Sequence, residues 1–346
     1  MARILVTGGA GYIGSHTVVE LQESGYDVVV VDNLSNSDVT VIDGIEAITG
    51  KRPNFENVDC NDYIGFDKVF DRYPDIVAVI HFAASKAVGE SVEKPLLYYR
   101  NNIGSLVNLL ELMQKHKVNN LVFSSSCTVY GQPDKDHLPV NETAPRKEAL
   151  SPYGNTKHIN EDIIFDQSHA NKSLHATILR YFNPIGAHPS ALIGELPNGV
   201  PNNLLPFITQ TAVGLREQLK VFGNDYNTPD GSCIRDYIYV VDLAKAHVLA
   251  VNRMLEGKAT DKVEVFNLGT GRGLSVLEIV NTFIKVTGVD LPYKIVGRRE
   301  GDIEKVWADP TKANKVLGWK ADTPTDEILL SAWKWELNLK KKRERK

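Results

Sequence analysis

The sequence is poor in the features that mark secreted, membrane and nucleic-acid-binding proteins. Its three cysteines, Cys60, Cys127 and Cys233, are too few and too scattered for a disulfide framework or a thiolate zinc site. No apolar run approaches the roughly 18 residues that a membrane helix needs. The formal net charge of -4 gives no reason to expect binding to nucleic acid, whose phosphates must be neutralised by lysine and arginine side chains. With no secretory leader before the first predicted strand, we expect a cytoplasmic protein with no metal, no membrane and no nucleic acid among its partners.

The 346 residues, 42% of them hydrophobic, are enough for a large core and two lobes. Short β-branched runs alternate with longer amphipathic stretches, which predicts an α/β protein with a doubly wound, parallel Rossmann-type sheet. Such sheets bind ligands beyond the carboxyl ends of their strands. The predicted strands in this part are residues 4–7, 28–32, 76–81, 121–125 and 176–180.

The composition changes beyond about Asn183, where Pro- and Gly-rich segments such as 184–206 replace the regular alternation. This change predicts a smaller mixed α/β C-terminal lobe that binds substrate. A strand at 263–268 followed by a helix at 275–286 resembles the first lobe again. We therefore expect a dinucleotide-binding domain over 1–182, joined by part of 235–268, and a substrate domain over 183–346.

The first predicted strand runs into a glycine-rich turn, TGGAGYIG at 7–14, that opens directly into a helix. Glycine lets backbone amides approach a pyrophosphate, and the helix N-terminus favours negative charge. The glycines alone fit a plain tight turn equally well. Asp32, at the end of the second strand, is placed to accept hydrogen bonds from ribose hydroxyls. The predicted dinucleotide site comprises Gly8, Gly11, Tyr12, Ile13, Gly14, Asp32, Asn33, Asn36, Ser37, Asp59, Cys60, Phe82 and Ala83.

The same acid indicates which dinucleotide binds. The Asp32 carboxylate would repel the additional phosphate of NADP, and no arginine follows in residues 33–37. The sequence therefore favours NAD as the cofactor. His81, which ends the fourth strand, is interpreted as a buried core histidine.

The catalytic prediction combines Ser126, just after the fifth strand, with Tyr153 and Lys157 at the start of a helix. A tyrosine and a lysine four residues apart share one helical face, so the ammonium can favour the phenolate. A free phenol, with a pKa of about 10, is otherwise a poor base near neutrality. A chance match, with the tyrosine in the core and the lysine in water, is the alternative. The preceding dinucleotide turn and Ser126 favour catalysis.

These motifs resemble those of the extended short-chain dehydrogenase/reductases, and within them the UDP-galactose 4-epimerase family. The resemblance covers nearly the whole chain and implies NAD-dependent inversion at carbon 4 of a UDP-hexose through a transient 4-keto sugar. It also implies a homodimer formed by the helices after the fourth and fifth strands. The matching segments are 7–16, 81–91, 123–131, 151–157, 180–189, 201–205, 222–240 and 298–302.

The resemblance also implies roles for individual residues. Lys86, Asn101, Tyr181 and Phe182, together with Tyr153 and Lys157, would hold the cofactor, and Lys86, Ser126 and Tyr153 would also contact substrate. The resemblance places Arg235 and Arg299 at the UDP group, and this agrees with the planar guanidinium, which can bind a diphosphate through two parallel hydrogen bonds. For Arg235 and Asp236 a mere surface pair is the alternative. The residues implied to bind the UDP group are Asn183, Asn203, Leu204, Phe222, Arg235, Arg299 and Asp302.

The chain departs from many members of that family at two positions. Cys127 follows the serine where alanine is common, and we expect a buried thiol that does not act as a nucleophile. Val306 occupies a pocket position where some relatives carry a bulky tyrosine. The smaller side chain leaves room beside carbon 2 of the sugar, which predicts that N-acetylated substrates are accepted.

Other functions remain open at this point. A sugar-nucleotide 4,6-dehydratase needs an additional acid and base beside the serine or threonine, where this chain has Cys127 and Thr128. The spacing of the motifs alone does not distinguish an epimerase from a decarboxylase that acts on a uronic acid. A non-catalytic NAD-binding protein would have little reason to keep Ser126, Tyr153 and Lys157 together.

Overall fold

A computed structural model describes residues 2–299 and 302–344 of the chain. Strands and helices alternate through the first half and are less regular in the second. The strands are β1 (Arg3–Thr7), β2 (Asp27–Val31), β3 (Asn54–Glu56), β4 (Ile76–His81), β5 (Asn120–Ser126), β6 (His175–Tyr181), β7 (Asn183–Ile185), β8 (Leu219–Phe222), β9 (Ile234–Arg235), β10 (Tyr237–Tyr239), β11 (Val263–Leu268), β12 (Leu274–Ser275), β13 (Tyr293–Val296) and β14 (Lys305–Val306). The helices are α1 (Tyr12–Glu23), α2 (Thr40–Thr49), α3 (Tyr63–Arg72), α4 (Val88–Glu93), α5 (Pro95–Lys115), α6 (Pro152–Ala170), α7 (Leu204–Ala212), α8 (Val240–Leu255), α9 (Val276–Thr287), α10 (Thr311–Val316) and α11 (Thr325–Glu344).

The main sheet has seven parallel strands in the order β11-β6-β5-β4-β1-β2-β3. Its central strands are continuous apolar runs because helices cover both faces. One face packs Val6, Val30 and Phe266 against α1 and α8, and the other packs Leu5 and Phe123 against α3 and α5. The order reverses beside β1, where β4 lies on one side and β2 on the other. The predicted doubly wound α/β class is confirmed.

The second half of the chain contains small mixed sheets around their own core. β8 pairs with β13 and β7 with β10, while β9 lies between β12 and β14. Leu205, Ile208, Phe283 and Leu329 are buried in the apolar cluster beneath them. β11 pairs in parallel with β6 and thus forms the edge of the main sheet. The prediction that 263–268 forms a strand is confirmed, while the division into two domains stays a prediction.

Local signals in the sequence account for several element boundaries. α6 begins after Ser151, whose side chain accepts a hydrogen bond from the Gly154 amide at 3.1 Å. α9 begins with a capping box between Ser275 and Glu278 and ends at Gly288, whose φ of 67° suits glycine. Among the described residues, the helices are all too short or too polar to cross a membrane.

Candidate active site

The glycine turn lies at the carboxyl end of β1, beside the place where the strand order reverses. A Cβ on Gly14 would overlap the Gly8 carbonyl oxygen and lie 2.8 Å from the Gly9 Cα atom. Gly8 has a φ of 69°, and a Cβ there would lie 2.8 Å from the Ala83 amide nitrogen. The turn therefore has its present shape only with glycine at these positions. In the described part of the chain, no side chain caps the start of α1, so the first amides of the helix, which include that of Ile13, lack a side-chain acceptor.

Asp32 follows β2 and organises the neighbouring loop. Its carboxylate accepts hydrogen bonds from the amides of Ala10 at 3.1 Å and Leu34 at 2.9 Å, and from the Ser37 hydroxyl at 2.8 Å. Two carboxylate oxygens offer about four lone-pair sites, so this carboxylate retains capacity for a ribose hydroxyl. Asn36 lies exposed in the same loop.

The segment after β3 meets this loop. Asn33 donates to the Asp59 carboxylate at 2.9 Å, and this bond and those from the amide groups of Asn61 lower the pKa of Asp59 although burial raises it. Cys60 is buried, and desolvation raises the pKa of its thiol. Phe82 packs its ring 4.8 Å from that of His247. The predicted adenosine residues thus lie together at one end of the sheet.

Ser126, Tyr153 and Lys157 are close together at the carboxyl end of β5, where Ser126 is the last residue of the strand. The Tyr153 hydroxyl lies close enough to the Ser126 side chain for the serine to favour the phenolate. The Lys157 ammonium lies 5.9 Å from the centroid of the Tyr153 ring and donates to the Ser124 carbonyl at 2.6 Å. Lys157 is 3% exposed, so the alternative of a lysine in water is wrong.

The electrostatics of this group differ from the expectation in one respect. Burial raises the pKa of Tyr153 to about 12, and the Ser126 side chain opposes the rise. Burial lowers the pKa of Lys157 to about 8, and the charge of Glu161 opposes the fall. The expected lowering of the Tyr153 pKa by Lys157 is therefore not found, because the ammonium is directed at the Ser124 carbonyl.

His81 ends β4 behind these residues. It is 2% exposed, its Nδ1 atom is 2.8 Å from the Thr7 hydroxyl, and its ring stacks on Phe123. Burial lowers its pKa to about 3, and the nearby Lys157 charge adds to this effect. His81 is a neutral core histidine, as expected.

The remaining residues implied to bind the cofactor lie on α5, β6 and the residue that follows β6. Asn101 donates to the Ser85 hydroxyl at 3.0 Å. Tyr181 is buried with its hydroxyl 3.2 Å from His247 Nε2, and Phe182 is buried beside it. Tyr12 donates to the Gly186 carbonyl at 2.7 Å, which ties the first helix to the segment after β7.

Arg235, Arg299, Asp302 and Phe222 meet although they are far apart in the sequence. Asp302 accepts from Arg299 Nη2 at 2.7 Å and lies 3.9 Å from Arg235 Nη2. The Arg299 guanidinium lies 5.6 Å from the centroid of the Phe222 ring. Two guanidinium groups therefore share one carboxylate at this place.

Asp236 fixes the strand that carries Arg235. It is fully buried, and its carboxylate accepts hydrogen bonds from the amides of Thr270 at 2.9 Å, Gly271 at 3.2 Å and Ala308 at 3.1 Å. Its own carbonyl accepts from the Asn183 amide at 2.9 Å. The alternative of a surface pair is wrong.

One residue of the cleft was missed by reasoning from the sequence. Glu195 accepts a hydrogen bond from Lys86 at 3.3 Å and one from Asn203 at 2.6 Å, and so joins two predicted site residues. Leu204 follows Asn203 at the start of α7. Glu195 lies in an irregular segment, where no periodicity marks it.

Val306 and Cys127 lie between the Arg235 cluster and Ser126. Val306 is opposite Arg235 in the pairing of β14 with β9, is 2% exposed, and packs in one cluster with Phe182 and Cys127. Burial raises the pKa of the Cys127 thiol to about 12. Cys127 is only partly buried, so the expectation of a buried thiol is not met, but the raised pKa keeps the thiol neutral near pH 7, as expected for a residue that is not a nucleophile.

A parallel sheet with this turn, and with serine, tyrosine and lysine beyond its fifth strand, is the arrangement of the short-chain dehydrogenase/reductases. A family model described as GDP-mannose 4,6 dehydratase matches residues 5–331. The UDP-glucose 4-epimerase of Bacillus subtilis (strain 168) is 52% identical over 333 residues, which cover 96% of each chain. UDP-glucose 4-epimerase uge1 of Schizosaccharomyces pombe is 53% identical over 335 residues, which cover 96% of this chain and 93% of that protein. The chain belongs to the UDP-glucose 4-epimerase family.

Other relatives agree with this assignment. A crystal structure of UDP-glucose 4-epimerase from Bifidobacterium longum in complex with NAD+ and UDP has a TM-score of 0.92 and 46% identity, covering 97% of this chain and 98% of that one. The chain also matches the bifunctional protein GAL10 of Pachysolen tannophilus at 52% identity over 97% of this chain, but spans only 49% of that longer protein.

Proposed function

We propose that this chain is an NAD-dependent isomerase that inverts carbon 4 of UDP-hexoses and interconverts UDP-galactose and UDP-glucose through a transient 4-keto sugar. The observation that carries the proposal is the position of Ser126, Tyr153 and Lys157. They lie at the same end of the parallel sheet as the glycine turn at 7–14, and Cys127, next to Ser126, packs with Val306, which pairs with Arg235. We infer that a sugar joined to a diphosphate on Arg235 and Arg299 would reach the serine and the tyrosine.

The residues at the turn fit NAD. The close approach of Gly14 to Gly8 and the uncapped start of α1 form a cradle that a Cβ would fill. The diphosphate would be held by the α1 amides, and the adenosine ribose by Asp32. Asn33, Ser37 and Asp59 would line the adenosine end, and Asn36 and Cys60 would support it. Lys86, Asn101, Tyr181 and Phe182 would hold the nicotinamide half.

In the mechanism, Tyr153 accepts the proton of the hydroxyl at carbon 4 while Ser126 donates a hydrogen bond to that oxygen. NAD, when bound, supplies the hydride acceptor and donor and is regenerated in each turnover. The positive charge of that cofactor, when bound, would supply the main help that makes the phenol a usable base, with the Lys157 ammonium, 5.9 Å from the centre of the Tyr153 ring, as a second positive charge. A buried phenol with a pKa of about 12 needs such help.

Inversion requires unequal binding of the two halves of the substrate. Arg235 and Arg299 hold the diphosphate, and Asn183, Asn203, Leu204, Phe222 and Asp302 hold the rest of the UDP group. The hexose is held weakly, so the 4-keto sugar turns about its diphosphate linkage and presents its other face. Tight binding of UDP and weak binding of the sugar are therefore both required.

The test is to incubate the purified protein with UDP-galactose, without added cofactor, and to follow the sugar by NMR. We expect UDP-glucose to accumulate to equilibrium, because the cofactor stays bound through purification. Absorbance near 340 nm gives a second reading, since a protein that only binds NAD never reduces it. A sugar that stays unchanged, with added NAD also without effect, would contradict the proposal.

The dehydratase reading is less well supported, although the matching family model has that description. Elimination of water needs an additional acid and base beside the serine. Here the next residues are Cys127, a neutral thiol, and Thr128, whose amide donates to Ser126 Oγ at 3.2 Å. Incubation with UDP-glucose and NMR detection of a 4-keto-6-deoxy sugar separates the two reactions. Loss of carbon dioxide from a UDP-uronic acid tests the decarboxylase.

Acceptance of N-acetylated hexoses belongs to the same proposal. Val306 is a small side chain that packs among Phe182, Cys127 and their neighbours beside Ser126. We propose that a side chain of this size, in place of a tyrosine, leaves room for an acetamido group at carbon 2 of a bound sugar. Conversion of UDP-N-acetylgalactosamine by the natural protein, and its loss in Val306→Tyr with UDP-galactose turnover retained, is the expected result. Failure of the natural protein at saturating substrate would remove this part of the proposal.

The assembly and location of the chain are also proposals. We propose a cytoplasmic homodimer with an NAD-binding domain over 1–182, joined by part of 235–268, and a UDP-sugar domain over 183–346. Exposed apolar side chains on α5 and α6, namely Leu96, Leu97, Val107 and Phe165, support pairing of these helices. Light scattering of the purified protein measures the oligomeric state.

A further inference from the structure

A buried ion pair lies directly behind the proposed catalytic residues. Arg180, in β6, donates to the Glu161 carboxylate twice, from Nε at 2.9 Å and from Nη2 at 2.6 Å. Their side chains are 5% and 0% exposed. Arg180 also donates to the Tyr130 hydroxyl at 2.9 Å. A buried ion pair gains little stability over apolar residues of the same volume, so its position beside the site points to another role.

The ion pair belongs to a regular set of contacts between β5 and α6. Three consecutive residues of β5 each contact one of three α6 residues that are spaced four apart. Side chains with that spacing lie on one face of a helix, so a single face of α6 is fastened along the end of the strand. The contacting pairs are Ser124 with Lys157, Ser125 with Glu161, and Ser126 with Tyr153.

Glu161 also places a negative charge near the Lys157 ammonium. It lies one helical turn beyond Lys157, whose ammonium is buried between the Phe123 ring and the Ser124 carbonyl. His81 faces the same ammonium and is neutral. The groups that face Glu161 itself are Arg180 from β6, Arg146 at 3.5 Å from the loop before α6, Ser125 from β5 and Lys157.

We propose that Glu161, held by Arg180, is a positioning residue that fixes β5 against α6, so that Ser126 meets Tyr153 and Lys157 stays a cation at the site. The proposal deepens the proposed function and rests on it. Glu161 touches neither substrate nor cofactor and acts through Lys157 and Ser125. The charge of Glu161 matters because it opposes the burial of Lys157, whose pKa is about 8. The ammonium is present below that pKa and is lost above it.

The experiment compares the pH profile of kcat for the natural protein and for Glu161→Gln. Loss of the carboxylate charge lowers the pKa of Lys157, so the alkaline limb moves down by about one pH unit and kcat at pH 9 falls roughly tenfold. The Glu161→Gln/Arg180→Met variant removes both charges and avoids an uncompensated guanidinium. We expect the unfolding temperature of this double variant to be closer to that of the natural protein than that of Glu161→Gln is. The alkaline limb of its kcat profile should still lie at lower pH than in the natural protein. An alkaline limb at its natural position in both variants would overturn the proposal.

The chain offers a matched control. Arg253 donates to Glu264 with the same two-bond geometry, at 2.7 and 2.9 Å, and their side chains are 12% and 4% exposed. This pair joins α8 to β11, away from Lys157. Glu264→Gln is expected to lower the unfolding temperature and to leave the pH profile unchanged. An equal shift of the profile in Glu264→Gln would show that destabilisation alone causes it, and would refute the positioning role.

A direct titration separates this inference from the proposed function. The 13C resonance of the Lys157 side chain, assigned by its loss in Lys157→Met, reports the pKa of the ammonium with no need for turnover. We expect that pKa to be lower in Glu161→Gln than in the natural protein. An inactive natural protein that shows this shift would contradict the proposed function alone. An active protein without the shift would contradict the role of Glu161 alone.

Discussion

Replacement of Gly14 by alanine is the sharpest test of the glycine turn. The new Cβ would overlap the carbonyl oxygen of Gly8 and lie 2.8 Å from the Gly9 Cα atom, although real Cβ atoms keep at least 3.0 Å from other heavy atoms. The atoms in the way are backbone, so no side chain can rotate aside. Relief requires the turn and the first turn of α1 to separate by about 1 Å, at a cost of about 3 kcal/mol.

Alanine also favours the helix by about 1 kcal/mol over glycine, which leaves a net loss of about 2 kcal/mol. In a chain of 346 residues that loss lowers Tm by roughly 3 °C. The larger effect is on the cofactor. Loss of one charge-assisted hydrogen bond from the α1 amides to the diphosphate weakens NAD binding about 10- to 100-fold.

The assay measures the unfolding temperature of Gly14→Ala and the NAD released from denatured, purified protein. Gly89→Ala is the matched control, because Gly89 is also helical and a Cβ there would meet no atom of the described chain within 4 Å apart from the adjoining helix backbone. The control should keep its NAD and unfold at the same temperature or slightly above. Natural levels of NAD in Gly14→Ala would refute the assignment of the turn.

Three further predictions follow from the site and the core. Tyr153→Phe should fold normally and lose most turnover of UDP-galactose, measured by NMR, because it removes the proposed base. Arg235→Lys should raise KM for UDP-galactose about tenfold with a smaller change in kcat, because lysine cannot bind a diphosphate through two parallel hydrogen bonds. Burial lowers the pKa of His16 and His81 to about 3 and of His247 to about 4. The pKa of an unfolded histidine is near 6.5, so the contribution of each of these histidines to the free energy of unfolding is present above pH 6.5 and is lost as the pH falls. Each histidine should lower the free energy of unfolding by about 1.3 kcal/mol between pH 7 and pH 5.5, measured by urea unfolding.

A control for the arginine prediction lies on the surface. Arg298→Lys alters an arginine whose side chain is 48% exposed and should leave KM unchanged. Near-natural turnover of Tyr153→Phe would remove the tyrosine as the base. Equal urea midpoints at pH 7 and 5.5 would contradict the burial of neutral histidines.

The sequence alone was sufficient for the parts of the molecule that depend on short-range patterns. Strands such as β1 and β4 are buried on both faces and appear as uninterrupted apolar runs. The glycine turn and the four-residue spacing of Tyr153 and Lys157 are local, because one turn and one helix face contain them. The same spacing extends to Glu161, and that signal could have identified the third member of the face.

Tertiary structure alone decided which distant residues share the site. Arg235 and Asp302 are joined because β9 pairs with β14, and no local pattern specifies that pairing. Glu195 meets Lys86 across the cleft from an irregular segment. The four-residue spacing predicts a lowered pKa for Tyr153, but burial raises it. This pKa depends on burial and on the direction of the Lys157 ammonium, and the chain topology determines both. Periodicity determines which residues face inward, but only the packed chain determines which residue each of them contacts.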